Sequence, residues 1–164
     1  MREILDTIPC CRVHRRFRLL RDDEEPLCRG IRTESEVYRF AWHSSFDGEA
    51  MVRIGEPDSE ITLRWVYHWF RAPSPDDSPP SVPLTLADWT RLQEAFIAAS
   101  FWALDPDERP LARGLDGAFW TIEGRRKDMF RAVSRWSPRD EAVHDLARLF
   151  FDLAGPPLGE IKLY

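Results

Sequence analysis

The chain has 164 residues with 23 basic and 28 acidic side chains, which gives a net charge of −5 at pH 7. A hydrophobic fraction of 43% is too high for intrinsic disorder, and a chain of this length can bury a core without a metal or a disulfide. We expect one globular domain over residues 1–164, and its acidic balance argues against nucleic-acid binding.

Residues 1–33 carry little structural information. Glu3 and Asp6 interrupt the only apolar stretch of this segment, so a secretory signal peptide is not predicted. No window approaches about 18 apolar residues, so no membrane span is predicted. The cysteines lack zinc-site spacing, and reduced thiols in a cytoplasmic protein fit them best. A bridge from Cys28 to Cys10 or Cys11 is the alternative.

Alternating apolar residues predict three strands in the first half of the chain. Residues 36–42 and 49–54 are predicted to form a β-hairpin, because an Asp47-Gly48 turn lies between them. Residues 60–71 carry five large apolar side chains at strict alternation, which is typical of a strand with one buried face. These five residues are Ile61, Leu63, Trp65, Tyr67 and Trp69.

Capping signals predict two helices. Thr85 and Asp88 can form a capping box, and an apolar stripe follows to about residue 102. The members of the stripe are Leu86, Trp89, Leu92, Phe96 and Ala99. Ser137 as N-cap and Asp140 three residues later repeat the capping signal, and this second helix is predicted to stop at Gly155.

The remaining segments complete the predicted fold. Residues 118–123 and 129–136 are predicted strands, whereas residues 72–83 contain five prolines and predict a solvated loop. Residues 156–164 are expected to form a short tail. Connections within each strand group are too short for parallel crossovers. We therefore predict an α+β domain with a single twisted, mainly antiparallel sheet of about five to six strands and two amphipathic helices on one face.

A sequence signature lies in the second half of the chain. The run GLDGAFWTIEG from Gly114 to Gly124 is preceded by Phe101-Trp102 and followed by Arg135-Trp136-Ser137-Pro138. With these residues the chain resembles, over about residues 36–155, a family of small uncharacterised bacterial proteins with a GLDGxxWxxEG…RWSP signature. The chain departs from that pattern at residues 127–130, where a Gly-Tyr-His-type segment is usual. The resemblance implies a shared fold and no particular activity.

Side-chain chemistry predicts a binding protein. The sequence has no nucleophile elbow, phosphate-binding loop or paired-histidine motif, so no catalytic residue, metal or cofactor is predicted. It has 21 arginines, two lysines and seven tryptophans, and mixed arginine and aromatic side chains are typical of interfaces. We expect a non-enzymatic cytoplasmic module that binds another protein, of immunity or adaptor type, through the sheet face not covered by helices. The candidate binding residues are Arg64, His68, Asp116, Trp120, Glu123, Arg125, Arg131, Arg135 and Trp136.

Two alternatives stay open. A small enzyme, such as a hydrolase, would gather His68, Asp116, Glu123 or an arginine across strands. An RNA-binding protein would use the local net charge of +5 between residues 125 and 139, where aromatic side chains are interleaved. Asp116 and Glu123 are seven residues apart, near opposite ends of one predicted strand. The simplest roles are therefore a turn for Asp116 and cross-strand pairing with an arginine for Glu123.

Overall fold

Antiparallel strands pair side by side in the computed structural model. The structure describes residues 27–29, 34–57, 60–68, 81–106, 116–127, 129–139, 141–156, 158, 161 and 163. The strands are β1 (Glu34–Ser44), β2 (Glu49–Pro57), β3 (Thr62–His68), β4 (Val82–Pro83), β5 (Ala118–Arg126) and β6 (Met129–Trp136). The helices are α1 (Leu86–Ala98) and α2 (Glu141–Ala154). Single 3-10 turns lie at Leu27–Arg29 and Phe101–Ala103.

These strands form one six-stranded sheet of order β4-β3-β2-β1-β5-β6, and each neighbouring pair is antiparallel. The predicted α+β class is confirmed. Both helices pack on one face of the sheet, because alternation sends the apolar residues of each strand to that side. Phe40 is at the centre of this core, with ring centroids 5.9 Å from Trp120 and 5.2 Å from Phe151.

Helix α1 begins as predicted and ends earlier than predicted. Thr85 Oγ1 accepts a hydrogen bond from the Asp88 N–H at 3.1 Å, and the Asp88 side chain accepts from the Thr85 N–H at 3.2 Å, which confirms the capping box. Leu86, the first residue of the predicted stripe, is 72% exposed, because the helix meets the core only from Trp89 onward. The helix ends at Ala98, before Ser100 adopts a left-handed φ of 49°.

A side-chain junction ties α1 to β1. The hydroxyl of Tyr38 donates to Glu36, whose carboxylate also accepts from Gln93 Nε2 of α1 at 3.1 Å. Burial, and then the hydrogen bond to Glu36, raise the pKa of Tyr38 well above its usual range. The junction fixes the helix against the sheet with polar groups at the edge of the apolar core.

The start of α2 differs from the prediction and its end confirms it. Ser137 does not cap the helix, because the helix begins at Glu141. The Oγ of Ser137 instead accepts a hydrogen bond from the Ala118 N–H at 2.9 Å. The N–H of Ser137, a residue with a φ of 40°, donates to the Ala118 carbonyl at 2.8 Å. Ser137 therefore closes the end of β6 against β5. Gly155, at a φ of 70°, ends the helix, and its N–H donates to the Phe151 carbonyl at 3.1 Å.

The structure corrects two smaller predictions and adds core contacts for a third segment. The last two residues of the predicted proline-rich loop form β4, which pairs with Thr62 and Leu63 of β3. The predicted C-terminal tail packs on the core, since Leu158 is fully buried and Ile161 and Leu163 contact the core cluster. Cys28 is disulfide-bonded, which overturns the expectation of a reduced thiol there. Residues 1–26 and 69–80 lie outside the described part of the chain.

Candidate functional site

The sheet face opposite α1 and α2, which we call the second face, has a polar centre. Arg39 of β1 lies opposite Glu123 of β5, and Arg39 Nε donates to Glu123 Oε2 at 2.6 Å. Arg53 of β2 and then Arg64 of β3 continue the same cross-strand row. The predicted pairing of Glu123 with an arginine is therefore confirmed.

The centre of the second face is closed to solvent. Arg39 is 0% and Glu123 1% exposed, and the hydrogen-bonded pair Thr121 and Ser134 beside them is also buried. Leu27 is fully buried without belonging to the core under the helices, and its turn contacts β5. The expectation that this face is open for binding is wrong at its centre, because alternation reveals which side chains share a face but not whether the chain covers that face.

One end of the second face is partly open, and we call it the rim. Its cross-strand row runs from Glu49 to His43, Phe119 and Trp136 on four neighbouring strands. His43 Nδ1 lies 2.7 Å from Glu49 Oε1, and the rings of Phe119 and Trp136 meet edge to face with centroids 4.9 Å apart. His43, Phe119 and Trp136 are all partly exposed. The rim also includes Phe46, Asp47 and Asp116, which adjoin this row.

The turn between β1 and β2 holds Phe46 at the end of the rim. Ser44 Oγ accepts hydrogen bonds from the N–H groups of Phe46 and Asp47 at 3.2 and 3.1 Å, which makes the turn tight. Phe46 is 63% exposed on this turn. A large apolar side chain held out in this way is available for contact with another molecule.

Gly117 joins the turn to Trp136. Its carbonyl accepts from the Ser45 N–H at 2.9 Å. The ring of Trp136 packs directly on Gly117, where a Cβ atom would lie 2.8 Å from the ring and 2.5 Å from Ser137 Oγ. Only glycine permits this approach, so this position of the GLDG run has a structural reason. Asp116 is exposed and immediately precedes Gly117, the residue on which the indole of Trp136 packs.

The structure separates the other predicted binding residues. Arg64 is exposed on β3, whereas Trp120 is fully buried in the core under the helices and is not available for binding. Arg125 is half-buried at the far end of the second face, where its Nε donates to the Lys127 carbonyl at 3.5 Å. The backbone of His68 pairs with Glu49 at the end of β3, and its side chain lies outside the described part.

Arg131 and Arg135 are on the opposite face from the one predicted. They share a face with Val133, the β6 residue that packs in the core under the helices, because residues two apart in a strand point the same way. Arg131 donates to the Leu104 carbonyl, and Arg135, only 4% exposed, donates to the Asp105 carbonyl at 2.9 Å. These arginines hold the segment after α1 against β6. The buried Arg135 therefore adds no charge to an exposed basic surface.

Two of the residues proposed for an enzyme, Asp116 and Glu123, do not converge. Asp116 is exposed at the rim, whereas Glu123 is buried with Arg39. The seven residues from Asp116 to Glu123 along the extended chain separate the two by about 20 Å. The hydrogen-bonded pair of His43 and Glu49 was not predicted. The available signal was the register of the β1–β2 hairpin, which places these two residues opposite each other on either side of the turn.

Metal and membrane features are not found in the described residues. Within those ranges, no three His, Cys, Asp or Glu side chains form a group that could hold a metal ion. None of the helices in the described part is long and apolar enough to cross a membrane. The fold defines the chain as an α+β protein with an open antiparallel sheet. No family model, curated protein or solved structure matches it.

Proposed function

We propose that the protein is a non-enzymatic binding module that engages another protein through the rim. The observation that carries the proposal is the exposed Phe46, in a turn that Ser45 joins to Gly117, on which the partly exposed Trp136 packs. Tryptophan and other aromatic side chains at the centre of a patch supply most of the binding energy in many protein interfaces. The immunity-type or adaptor role expected from the sequence belongs to this proposal.

The rigidity of the rim supports the proposal. The turn that carries Phe46 is tied to Gly117, and Gly117 supports the ring of Trp136. A side chain that is already held in place loses less conformational entropy when a partner binds. The backbone that carries Phe46 and the ring of Trp136 are therefore preorganised at one end of the sheet.

A photo-crosslinking experiment tests this function. Phe46 is replaced by p-benzoylphenylalanine, and the protein is irradiated in cells of its source organism. We expect a discrete covalent adduct with one protein, and we expect Trp136→Ala in the same chain to reduce its yield. The folding of each variant is checked by circular dichroism, and Trp136→Phe serves as a conservative second variant if the alanine variant unfolds.

The matched control places the same photoreactive group at Leu86, which is 72% exposed at the start of α1. We expect no adduct of the same mass from this position. Equal adducts from both positions, or none from position 46, would overturn the proposal.

A hydrolase is the second candidate function, and the hydrogen bond between His43 and Glu49 favours it. A carboxylate that accepts from Nδ1–H fixes the tautomer and orientation of an imidazole, as in general acid–base catalysis. If this pair is catalytic, we expect hydrolysis of p-nitrophenyl acetate that is lost in both His43→Ala and Glu49→Gln. If the unaltered protein hydrolyses this ester no faster than the two variants, the hydrolase candidate is excluded.

The compartment is part of the proposal. The sequence predicts a cytoplasmic protein, whereas disulfide-bonded cysteines such as Cys28 are typical of oxidising compartments. We infer that the module meets its partner where Cys28 stays oxidised.

A further inference from the structure

We propose that the rim binds a cationic side chain, an arginine or a lysine that the partner protein presents. This inference rests on the proposed function and names the chemistry of its partner. Two residues carry it, the indole of Trp136 and the carboxylate of Asp116.

The indole of Trp136 supplies the surface for the cation. Tryptophan is the aromatic residue that attracts a guanidinium or ammonium group most strongly, through the negative face of its ring. Phe119 meets Trp136 at an interplanar angle of 70°, and Gly117 supports the ring from the backbone. The indole is therefore held by a ring and a backbone segment while it remains partly exposed.

Asp116 supplies the charge. It is exposed and directly precedes the glycine on which the indole packs, so an arginine over that ring would lie within reach of its carboxylate. The net charge of −5 on the whole chain also favours approach of a positive partner.

Arg139 is the internal cation that competes with this proposal. It is exposed and follows Trp136 by three residues, so it opposes a second positive charge at the rim. Its removal distinguishes two kinds of ligand. Arg139→Gln should strengthen binding of a cation and weaken binding of an anion such as a nucleic acid or an acidic peptide.

The test is an NMR titration of the full chain, labelled with 15N, with blocked tetra-arginine and tetra-lysine peptides. We expect saturable chemical-shift changes of the Gly117 amide and of the Trp136 indole N–H. The indole N–H signal of Trp136 is assigned as the one that is missing from the spectrum of Trp136→Phe. Asp116→Asn should weaken binding by about two- to fivefold, as for one exposed ion pair. Glu94→Gln, with the same charge change on exposed α1, should leave it unchanged.

Trp136→Phe keeps an aromatic ring on Gly117 and should weaken binding by about two- to fivefold. Equal shifts with a tetra-glutamate peptide, shifts spread evenly over the surface, or unchanged binding in Asp116→Asn would overturn the inference. If crosslinking at position 46 succeeds while the cationic peptides do not bind, the proposed function stands and this inference fails.

Discussion

The pairing of Arg39 with Glu123 shows how one residue in each of two strands affects the sheet. Both side chains are buried, and the 2.6 Å bond between them joins β1 to β5. Two buried ions are costly to desolvate, so a buried pair need not stabilise the fold relative to apolar residues. Once it is present, however, loss of either charge leaves the other in a medium of low polarity.

We therefore predict that Glu123→Gln lowers the free energy of unfolding by about 3 kcal/mol, because Arg39 then lacks its carboxylate in β5. Urea denaturation followed by circular dichroism measures the change. Glu94→Gln is the matched control, since Glu94 is exposed on α1, and it should change stability by less than about 0.5 kcal/mol. A loss equal to that of the control would contradict the importance of this pair.

Strand β6 shows how an element at the edge of the sheet is protected. Beyond its pairing with β5, the N–H of Ser134 donates to the Pro106 carbonyl at 2.9 Å. Arg131 donates to the carbonyl of Leu104, and Arg135 donates to the carbonyl of Asp105. Edge strands with open backbone groups tend to pair with other chains, and this covering segment prevents such pairing.

We predict that Arg135→Met releases the segment after α1. The change removes a charged donor from the Asp105 carbonyl and should cost about 1–3 kcal/mol. Hydrogen exchange at the amide of Ser134 should accelerate by about tenfold or more, because its acceptor lies in the released segment. Arg139→Met, which alters an exposed arginine, should leave this amide unchanged. Equal exchange in both variants would show that Arg135 does not hold the segment.

At the scale of the whole molecule, both faces of the sheet carry buried side chains. The helices cover one face, and the centre of the second face is buried as well. Cys28 lies in the turn before β1, and its disulfide bond ties this part of the chain covalently. Among the described residues, the rim is therefore a partly open end of a face whose centre is buried.

We predict one free thiol in the protein isolated from its source organism, since the chain has three cysteines and a disulfide bond uses two. Titration with Ellman's reagent in denaturant without reductant measures this number. Reduction should lower the free energy of unfolding by about 2–4 kcal/mol. Three free thiols would contradict the oxidised form and would favour the cytoplasm expected from the sequence.

Sequence reasoning recovers the fold better than the rim. Period-two alternation and the capping box at Thr85 act between near neighbours, so β1, β2, β5, β6 and α1 could be predicted from local chemistry. The role of Ser137 could not, because its partner, the Ala118 N–H, lies in another strand. The same is true of Arg135, which resembles a surface residue until the carbonyl of Asp105 is placed beside it.

The strand order has a consequence for how fast the chain folds. Four of the five strand pairings join strands that follow each other in the sequence, and these can form early. The exception is β1 with β5, where Arg39 and Glu123 are 84 residues apart. Closing so long a loop costs entropy before any contact compensates for it. We expect this docking to limit the folding rate, so the slow step would be the meeting of the four-stranded meander β1–β4 with the β5–β6 hairpin.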